Sequence, residues 1–573
     1  MPQQIQKAAQ FYESGDSIKA DAICREILQK DQNHATALHL RGVIAYQAKD
    51  YVAAVKLLGA ANKQIKGNIN IMFALAASYE YTQQHEAAIG LYREVCKLMP
   101  DNTSARQQLA GLLAKTQQTE RALTEYLSIY QTNRHQPDVL LALSHLYITL
   151  DNNAESQRHA DALRKIKPNN SDLWNNLGIV YKSLNDTDNA IKCFQEAFLL
   201  AENHTQSRLN IASMLQDIGR FEDAKKHYLH VINNSDTTSN ALSRAHYNLA
   251  LIYLGDGNYT QGWPHLALRP KVFSDLPTPA EIKGKRLIIL GEEGLGDELA
   301  FLRFLPLLRS HQVSVDYVGN KKLLPVLKQI ASITHLFDSI PDTTAYDFCI
   351  SAMDLPLIFS VAQPANYPAL TLTAEQNIKH PLIDDISSSK LKPTLGITWR
   401  AGINTDLPKD KPKDKPKDQQ PEKYLDKSIP IEIMASALKN YVGTVVILQR
   451  NPRPEEIEYL THQLSEKVID ASSLNNDLLL MLRALSDIDN YFGVSNTNMH
   501  LFAGLGKTAD VIVPLPGEWR WLHEGNTSPW HPNFGILRQT TPGNWDDILD
   551  KLPAYLREPC GSPISPNSCS QPV

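Results

Sequence analysis

The chain has 573 residues, 43% hydrophobic and 21% charged, with a formal net charge of -5 and a pI near 6.4. That length calls for two or three domains, and the acidic balance argues against nucleic acid as a main partner, because phosphate binding needs a basic footprint. No apolar run approaches the roughly eighteen residues of a membrane span, the start MPQQIQKAAQFYESGD is too polar for a signal peptide, and the six cysteines show no CxxC or Cys/His metal spacing, so a reduced cytoplasmic protein is expected.

From Met1 onward, small side chains return every 34 residues. Position 8 of successive blocks holds Ala8, Gly42, Ala76, Ala110, Ser144, Gly178 and Ala212. Position 20 holds Ala20, Ala54, Ala88, Ala122, Ser156, Ala190 and Ala224, and position 11 is mostly large, as in Phe11, Tyr79, Leu113, Tyr147, Tyr181 and Leu215. After a four-residue slip an eighth block keeps the pattern with Ala250, Tyr253 and Gly262. Paired antiparallel helices need this arrangement, since small residues let two helices approach where large ones fill the gap between them. Pro100 and Pro168 are placed to stop the second helix of their repeats. Cys24, Cys96 and Cys193 lie at or near apolar positions of second helices and read as small hydrophobes. The sixth block, Trp174-x-x-Leu177-Gly178-x-x-Tyr181 with Ala190, Phe194 and Ala197, carries the full signature, and residues 1–276 resemble the tetratricopeptide family. The resemblance implies an α solenoid of about eight repeats with a groove suited to a protein or peptide partner.

The period ends after Tyr259–His265, and a linker with Pro270, Pro277 and Pro279 follows. Short apolar runs then alternate with helical stretches. Strands are expected at Arg286–Leu290, Val313–Val318, Phe348–Ser351, Thr394–Trp399, Val445–Gln449, Asn490–Val494 and Ala509–Pro514, with a helix over Glu298–Arg309. Such alternation predicts right-handed βαβ units and parallel sheets. The pattern suits two Rossmann-like lobes, 284–390 and 391–556. Within the second, the stretch PKDKPKDKPKDQQ at Pro408–Gln420 has no apolar residue, so a disordered insert is expected over 404–424, with a disordered tail over 557–573.

Four segments carry chemistry. In GEEGLGDE, 291–298, glycines including Gly294 and Gly296 let a ligand approach the backbone at a helix amino terminus, although a tight strand-to-helix turn explains them equally well. Asp297 adds a carboxylate at the carboxyl end of a sheet, where open α/β folds bind ligands. Around Ser495-Asn496-Thr497-Asn498-Met499-His500 an apolar strand ends in a polar turn that can cap a helix and leave N–H groups for an anion; a capping or core role for His500 stays open. Arg400, after Gly396–Trp399, could bind a diphosphate bidentately or lie solvated on the surface. Trp519, Trp521 and Trp530 with Arg520 could line a sugar or base pocket or pack an irregular loop.

Residues 285–556 resemble the B-type glycosyltransferases (GT-B), in particular the bacterial heptosyltransferase-like group fused behind tetratricopeptide repeats. The resemblance rests on Leu290–Asp297, Ile397–Gly402, Lys427-Ser428-Ile429-Pro430, Val494–His500 and Glu518–Trp521 with Ser528-Pro529-Trp530. It implies two Rossmann-like lobes about a cleft and a nucleotide-diphosphate sugar as donor, with neither cofactor nor metal. It also implies Asp297 as general base, and donor binding by Gly294, Gly296, Arg400, Gln449, Ser495, Asn496, Thr497, Asn498, Met499, His500 and Trp521. The family's Asp-Thr-x-x-x-His reads here Asn496-Thr497-Asn498-Met499-His500, with Asn for Asp and a shorter spacing. The implied reaction is an inverting transfer, with the repeats recruiting a protein acceptor such as flagellin or another surface protein. The alternatives are a non-catalytic repeat scaffold with a degenerate transferase half, or a transferase acting on a surface saccharide. A Rossmann oxidoreductase is disfavoured, because no acidic ribose-binding residue follows a true GxGxxG.

Overall fold

The 34-residue period is written in the backbone as well as in the side chains. Gly15, Lys49, Gln83, Gln117, Asp151, Asn185 and Gly219 recur at that spacing, and all have φ between +56° and +88°. Gly257, displaced by the four-residue slip, has φ +74°. Each left-handed residue turns the chain between the two helices of a repeat, and the next residue opens the second helix. Asp16, Asp50, Asn152 and Asp186 at that next position accept a hydrogen bond from the third residue onward, a side-chain N-cap.

A computed structural model describes residues 2–202, 204–234, 240–269, 276–292, 294–401, 427–541, 544–549, 551–553 and 556. The expected disordered insert, 404–424, and tail, 557–573, lie outside the described residues. The chain divides into two compact units, Met1–Ser207 and Arg208–Val573. The first contains α1 (Pro2–Glu13), α2 (Ser17–Lys30), α3 (Ala35–Gln47), α4 (Tyr51–Gln64), α5 (Ile69–Tyr81) and α6 (His85–Leu98). It continues with α7 (Thr103–Lys115), α8 (Thr119–Thr132), α9 (Pro137–Thr149), α10 (Asn153–Ile166), α11 (Ser171–Ser183) and α12 (Thr187–Leu200). Helices α6 and α10 end two residues before Pro100 and Pro168. The small positions are buried at the helix contacts. A Cβ built on Gly178 of α11 would lie 2.5 Å from the ring of Phe194 on α12, so only glycine admits that phenylalanine. Cys24, Cys96 and Cys193 are buried, and burial pushes the thiols of Cys24 and Cys193 up to about 11 and about 12, as befits inert packing groups.

Helix α13 (Thr205–Asp217) spans the boundary, and α14 (Phe221–Asn234), α15 (Asn240–Gly255) and α16 (Tyr259–Ala267) belong to the second unit. The unit boundary therefore falls two repeats before the proline-bearing linker. Trp263 of α16 shows why. Its ring lies 6.2 Å from those of Trp519 and Trp530 and 6.4 Å from Phe301, and its indole N–H donates to the Val361 carbonyl at 2.7 Å. The last repeats share one core with the strands that follow.

Those strands form two all-parallel sheets. The first has β1 (Arg286–Leu290), β2 (Ser314–Val318), β3 (His335–Phe337) and β4 (Phe348–Ser351) in the order β3-β2-β1-β4. The second has β5 (Thr394–Thr398), β6 (Thr444–Ile447), β7 (Val468–Asp470), β8 (Asn490–Val494), β9 (Asp510–Val513) and β10 (Gly535–Arg538) in the order β10-β9-β8-β5-β6-β7. Counted within the second sheet this is 3-2-1-4-5-6, the doubly wound order, whose switch point lies between its first and fourth strands. The first sheet repeats half of it. The expected helix over Glu298–Arg309 is instead α17 (Leu295–Phe301), a 3₁₀ turn at Leu302–Phe304, and α18 (Leu305–Ser310). Pro306 explains the break, since it cannot donate to the preceding turn.

Trp263→Ala removes this keystone. It should destabilise the second unit by about 3–5 kcal/mol. Denaturant titration followed by tryptophan fluorescence reads it, because all but Trp174 of the seven tryptophans lie in that unit.

Candidate functional site

Strand β1 ends at Leu290, and the loop from Gly291 leads into α17, with Gly294 as its N-cap and Asp297 in its first turn. Strand β8 ends at Val494, and the turn Ser495-Asn496 leads into the helix Thr497–Gly504. Both segments leave their sheets at carboxyl ends beside a switch point. They meet at Gly296, where a Cβ would sit 2.9 Å from the His500 ring. Any side chain there would hold the two segments apart.

Around that contact lies a chain of charges. Arg520 donates through one terminal nitrogen to Asp297 and through the other to Glu518, and Lys427 donates to the second Glu518 oxygen at 2.6 Å. The Arg520 side chain is 6% exposed and that of Glu518 9%, whereas Asp297 and Lys427 keep 25% and 21%, so the cluster opens at Asp297 and Lys427. The 3₁₀ turn Trp519–Trp521 carries Arg520, whose guanidinium lies 5.0 Å from the Trp519 ring centroid. Ser528 pins the turn by donating to the Arg520 carbonyl at 2.5 Å. Trp521 stacks on His531, and His531 on Phe534, with centroids 5.2 and 4.8 Å apart. His500 and His531 lie 5.2 Å apart.

Burial first holds both imidazoles well below the usual histidine range, followed at His500 by His531, Arg520, Arg303 and Lys427 and at His531 by Arg303 and Arg520. Burial with the Arg520 charge pushes the Lys427 ammonium down to about 8, against the pull of Asp297. Three buried nitrogens, Arg520 Nε, Trp521 Nε1 and His531 Nε2, have no hydrogen-bond partner among the described residues. A buried polar group left unpaired costs about 1–3 kcal/mol, and the N–H groups of Arg520 and Trp521 among cationic groups suit an anionic, hydrogen-bonding ligand. Among the described residues no group of three or more His, Cys, Asp or Glu could hold a metal ion.

The sequence-predicted residues divide into two sets. Asp297, Gly294, Gly296, His500 and Trp521 surround this cluster. The others make the contacts that follow. Arg400 pairs with Glu456 and donates to the Asn451 carbonyl at 2.9 Å, so its guanidinium is already engaged away from the cluster. Gln449 accepts from the Trp399 and Arg400 amides, both at 2.9 Å, and donates to the Arg400 and Arg450 carbonyls, tying the ends of β5 and β6. Asn498 donates to the Leu448 carbonyl and the Asn475 side chain at 3.1 and 3.0 Å. Met499 and Ser495 are buried, and Thr497 opens its helix. Asn496 caps that helix by accepting from the Met499 amide at 3.2 Å, while its own amide donates to Thr398 Oγ1 at 2.7 Å and to the Val494 carbonyl at 3.0 Å. Lys427, Glu518 and His531 complete the cluster without having been assigned a role from sequence, and Arg520, expected with the tryptophans either to line a pocket or to pack a loop, sits at its centre. The signal available for them was the density of charge and aromatic rings over 518–531.

Comparison with known proteins agrees with the repeats. The family model for the tetratricopeptide repeat matches residues 171–204, and the chain carries such repeats. Protein FlbA of Caulobacter vibrioides is 23% identical over 95% of this chain and 94% of its own length. The peroxisomal targeting signal receptor of Saccharomyces cerevisiae is 21% identical over 40% of this chain. The human protein O-mannosyl-transferase TMTC1 is 24% identical over 29% of this chain. The matches span 39% of the receptor and 19% of the transferase. No helix among the described residues is long and apolar enough to cross a membrane.

Asn496→Asp restores the carboxylate of the family motif and keeps the cap, but it sets an acceptor against the Val494 carbonyl. It should lower stability by about 1–2 kcal/mol, measured as a shift in the denaturation midpoint.

Proposed function

We propose that the chain is a nucleotide-sugar-dependent glycosyltransferase of GT-B architecture, inverting and metal-independent, whose repeats recruit a protein acceptor such as flagellin or another surface protein. The observation that carries this reading is the convergence of Asp297 with Lys427, Arg520 and three buried nitrogens that have no partner among the described residues, at the carboxyl ends of two parallel sheets. Asp297 takes the proton of the acceptor hydroxyl as its oxygen attacks the anomeric carbon. The bond from that carbon to the diphosphate oxygen breaks, and its electron pair leaves with the nucleoside diphosphate. Lys427 and Arg520 hold the departing charge, so the reaction needs no metal. A single base opposite the leaving group inverts the anomeric centre. Neutral His500 and His531 offer hydrogen bonds to the sugar or phosphate without adding charge.

The similarity of part of the chain to a protein named as an O-mannosyl-transferase supports transfer to protein, and its similarity to peroxisomal targeting signal receptors supports a peptide or protein partner for the repeats. Repeats of this kind present grooves to extended segments.

Full-length protein should bind and slowly hydrolyse one of the UDP-, GDP- or ADP-sugars. Intact-mass analysis of surface proteins from cells with and without the chain should show a shift equal to one sugar residue. If none of the three donor classes binds, the transferase reading gives way to that of a repeat scaffold. Asp297→Asn should lose turnover while keeping its fold. The charge on Lys427 is present below pH 8 and is lost as pH rises through about 8, so affinity for the nucleoside diphosphate should decline between pH 7 and 9. Lys427→Arg stays charged over that range and should flatten the profile.

A further inference from the structure

Arg520 stands between the proposed base and the proposed leaving group. Its guanidinium holds Asp297 on one terminal nitrogen and Glu518 on the other, and its Nε has no partner among the described residues. Glu518 is fixed from its far side by Lys427 at 2.6 Å. Asp297 and Lys427 are the most exposed members of the group, so a ligand entering the crevice meets them first. The guanidinium occupies Asp297 Oδ1, so an acceptor hydroxyl cannot meet that oxygen while the pair holds.

We propose that Arg520 is a donor-operated clamp: an incoming diphosphate takes the guanidinium from Asp297, and only then does the Asp297 carboxylate lie open to the acceptor hydroxyl. This rests on the glycosyltransferase reading. A phosphate group offers the guanidinium two parallel hydrogen bonds and brings more charge than Asp297 presents. Glu518 keeps its bond to the other terminal nitrogen, and the stacked Trp519 ring keeps the guanidinium plane in place. Arg520 thus pivots from carboxylate to phosphate without leaving the crevice. Transfer then proceeds with the acceptor proton passing to Asp297 and the electron pair of the broken bond resting on the phosphate that Arg520 now holds. Release of the nucleoside diphosphate returns Arg520 to Asp297 and covers its carboxylate again. The donor therefore binds before the acceptor reacts.

The clamp imposes a cost on donor binding that removal of its carboxylate must relieve. Calorimetric titration of the full-length protein with UDP, GDP and ADP tests it. The diphosphate that binds wild type should bind Asp297→Asn about three- to tenfold more tightly, although that variant has lost turnover. Asp297→Ala, checked for the same thermal midpoint, should tighten in the same direction. Arg520→Lys, with one compact head that cannot serve Glu518 and a phosphate together, should bind at least tenfold more weakly. Unchanged or weaker binding by both Asp297 variants, with wild type binding normally, overturns the clamp and leaves the transferase reading standing. Failure of all three diphosphates to bind wild type and both variants removes the transferase reading and the clamp with it.

Discussion

Asp297, in the first turn of α17, and Glu518, beyond β9, both converge on the guanidinium of Arg520. Without that cation two carboxylates would face each other where Glu518 has lost most of its water, and without the carboxylates a buried arginine would stand alone. Removing one member of such a buried group costs about 3–5 kcal/mol. The surrounding structure follows from keeping the three together. Gly296 has no side chain, so α17 can approach His500 closely enough to bring Asp297 within reach. The Ser528 hydroxyl fixes the Arg520 carbonyl, and Trp519 supports the guanidinium plane. The interaction is local in space, yet Asp297 and Arg520 are 223 residues apart in the chain.

The last repeats take part in this arrangement. Arg269, just beyond α16, donates to Glu292 at 2.5 and 2.9 Å and to Asp354 at 2.8 Å. Glu292 belongs to the loop that carries Gly294 and leads to Asp297. The end of the repeat array thus grips the loop that leads to Asp297 through one buried arginine, while Trp263 packs against Trp519 and Trp530. At the outer side of the same turn, His523 donates its backbone N–H to the Gly255 carbonyl at 2.8 Å, pairs with Asp256 at 2.8 Å and stacks on Phe221 at 3.6 Å. The segment from 518 to 524 therefore touches the charge cluster at one end and the last repeats at the other. A cut at the proline-bearing linker would strip both anchors from the α/β part, which is why the compact unit starts at Arg208 instead.

The repeats were legible because their constraint is periodic: every close helix contact needs a small residue, and every turn a left-handed one, at a fixed interval. The central strands were legible for a similar reason, since burial on both faces forces an unbroken apolar run, as in Arg286–Leu290 and Asn490–Val494. Strands β3, β7 and β10 escaped because each is an edge strand of only three or four residues, half covered and short of that run. In the site, the glycine-rich turn after β1 and the Ser495-Asn496 turn after β8 could be read from local chemistry. Arg400 looked equivalent to Arg520 in sequence, each following a tryptophan in a strand-to-loop segment. What separates them is the partner: Glu456 lies within the same sheet's surroundings, whereas Asp297 lies across the crevice, and no spacing rule encodes a contact over 223 residues.

Asn496 shows how a departure from a family motif can carry a structural reason. As an N-cap it needs only an acceptor, and aspartate would serve as well. Its amide, however, donates at once to Thr398 at the end of β5 and to the Val494 carbonyl at the end of β8, the two strands that flank the switch point. Thr398 is held in turn by Tyr491, whose hydroxyl lies 3.1 Å from it and also donates to Asn496 at 3.1 Å. A carboxylate could keep the cap and accept from Thr398, but it would repel the carbonyl. The neutral amide thus ties the ends of β5 and β8 together at the switch point.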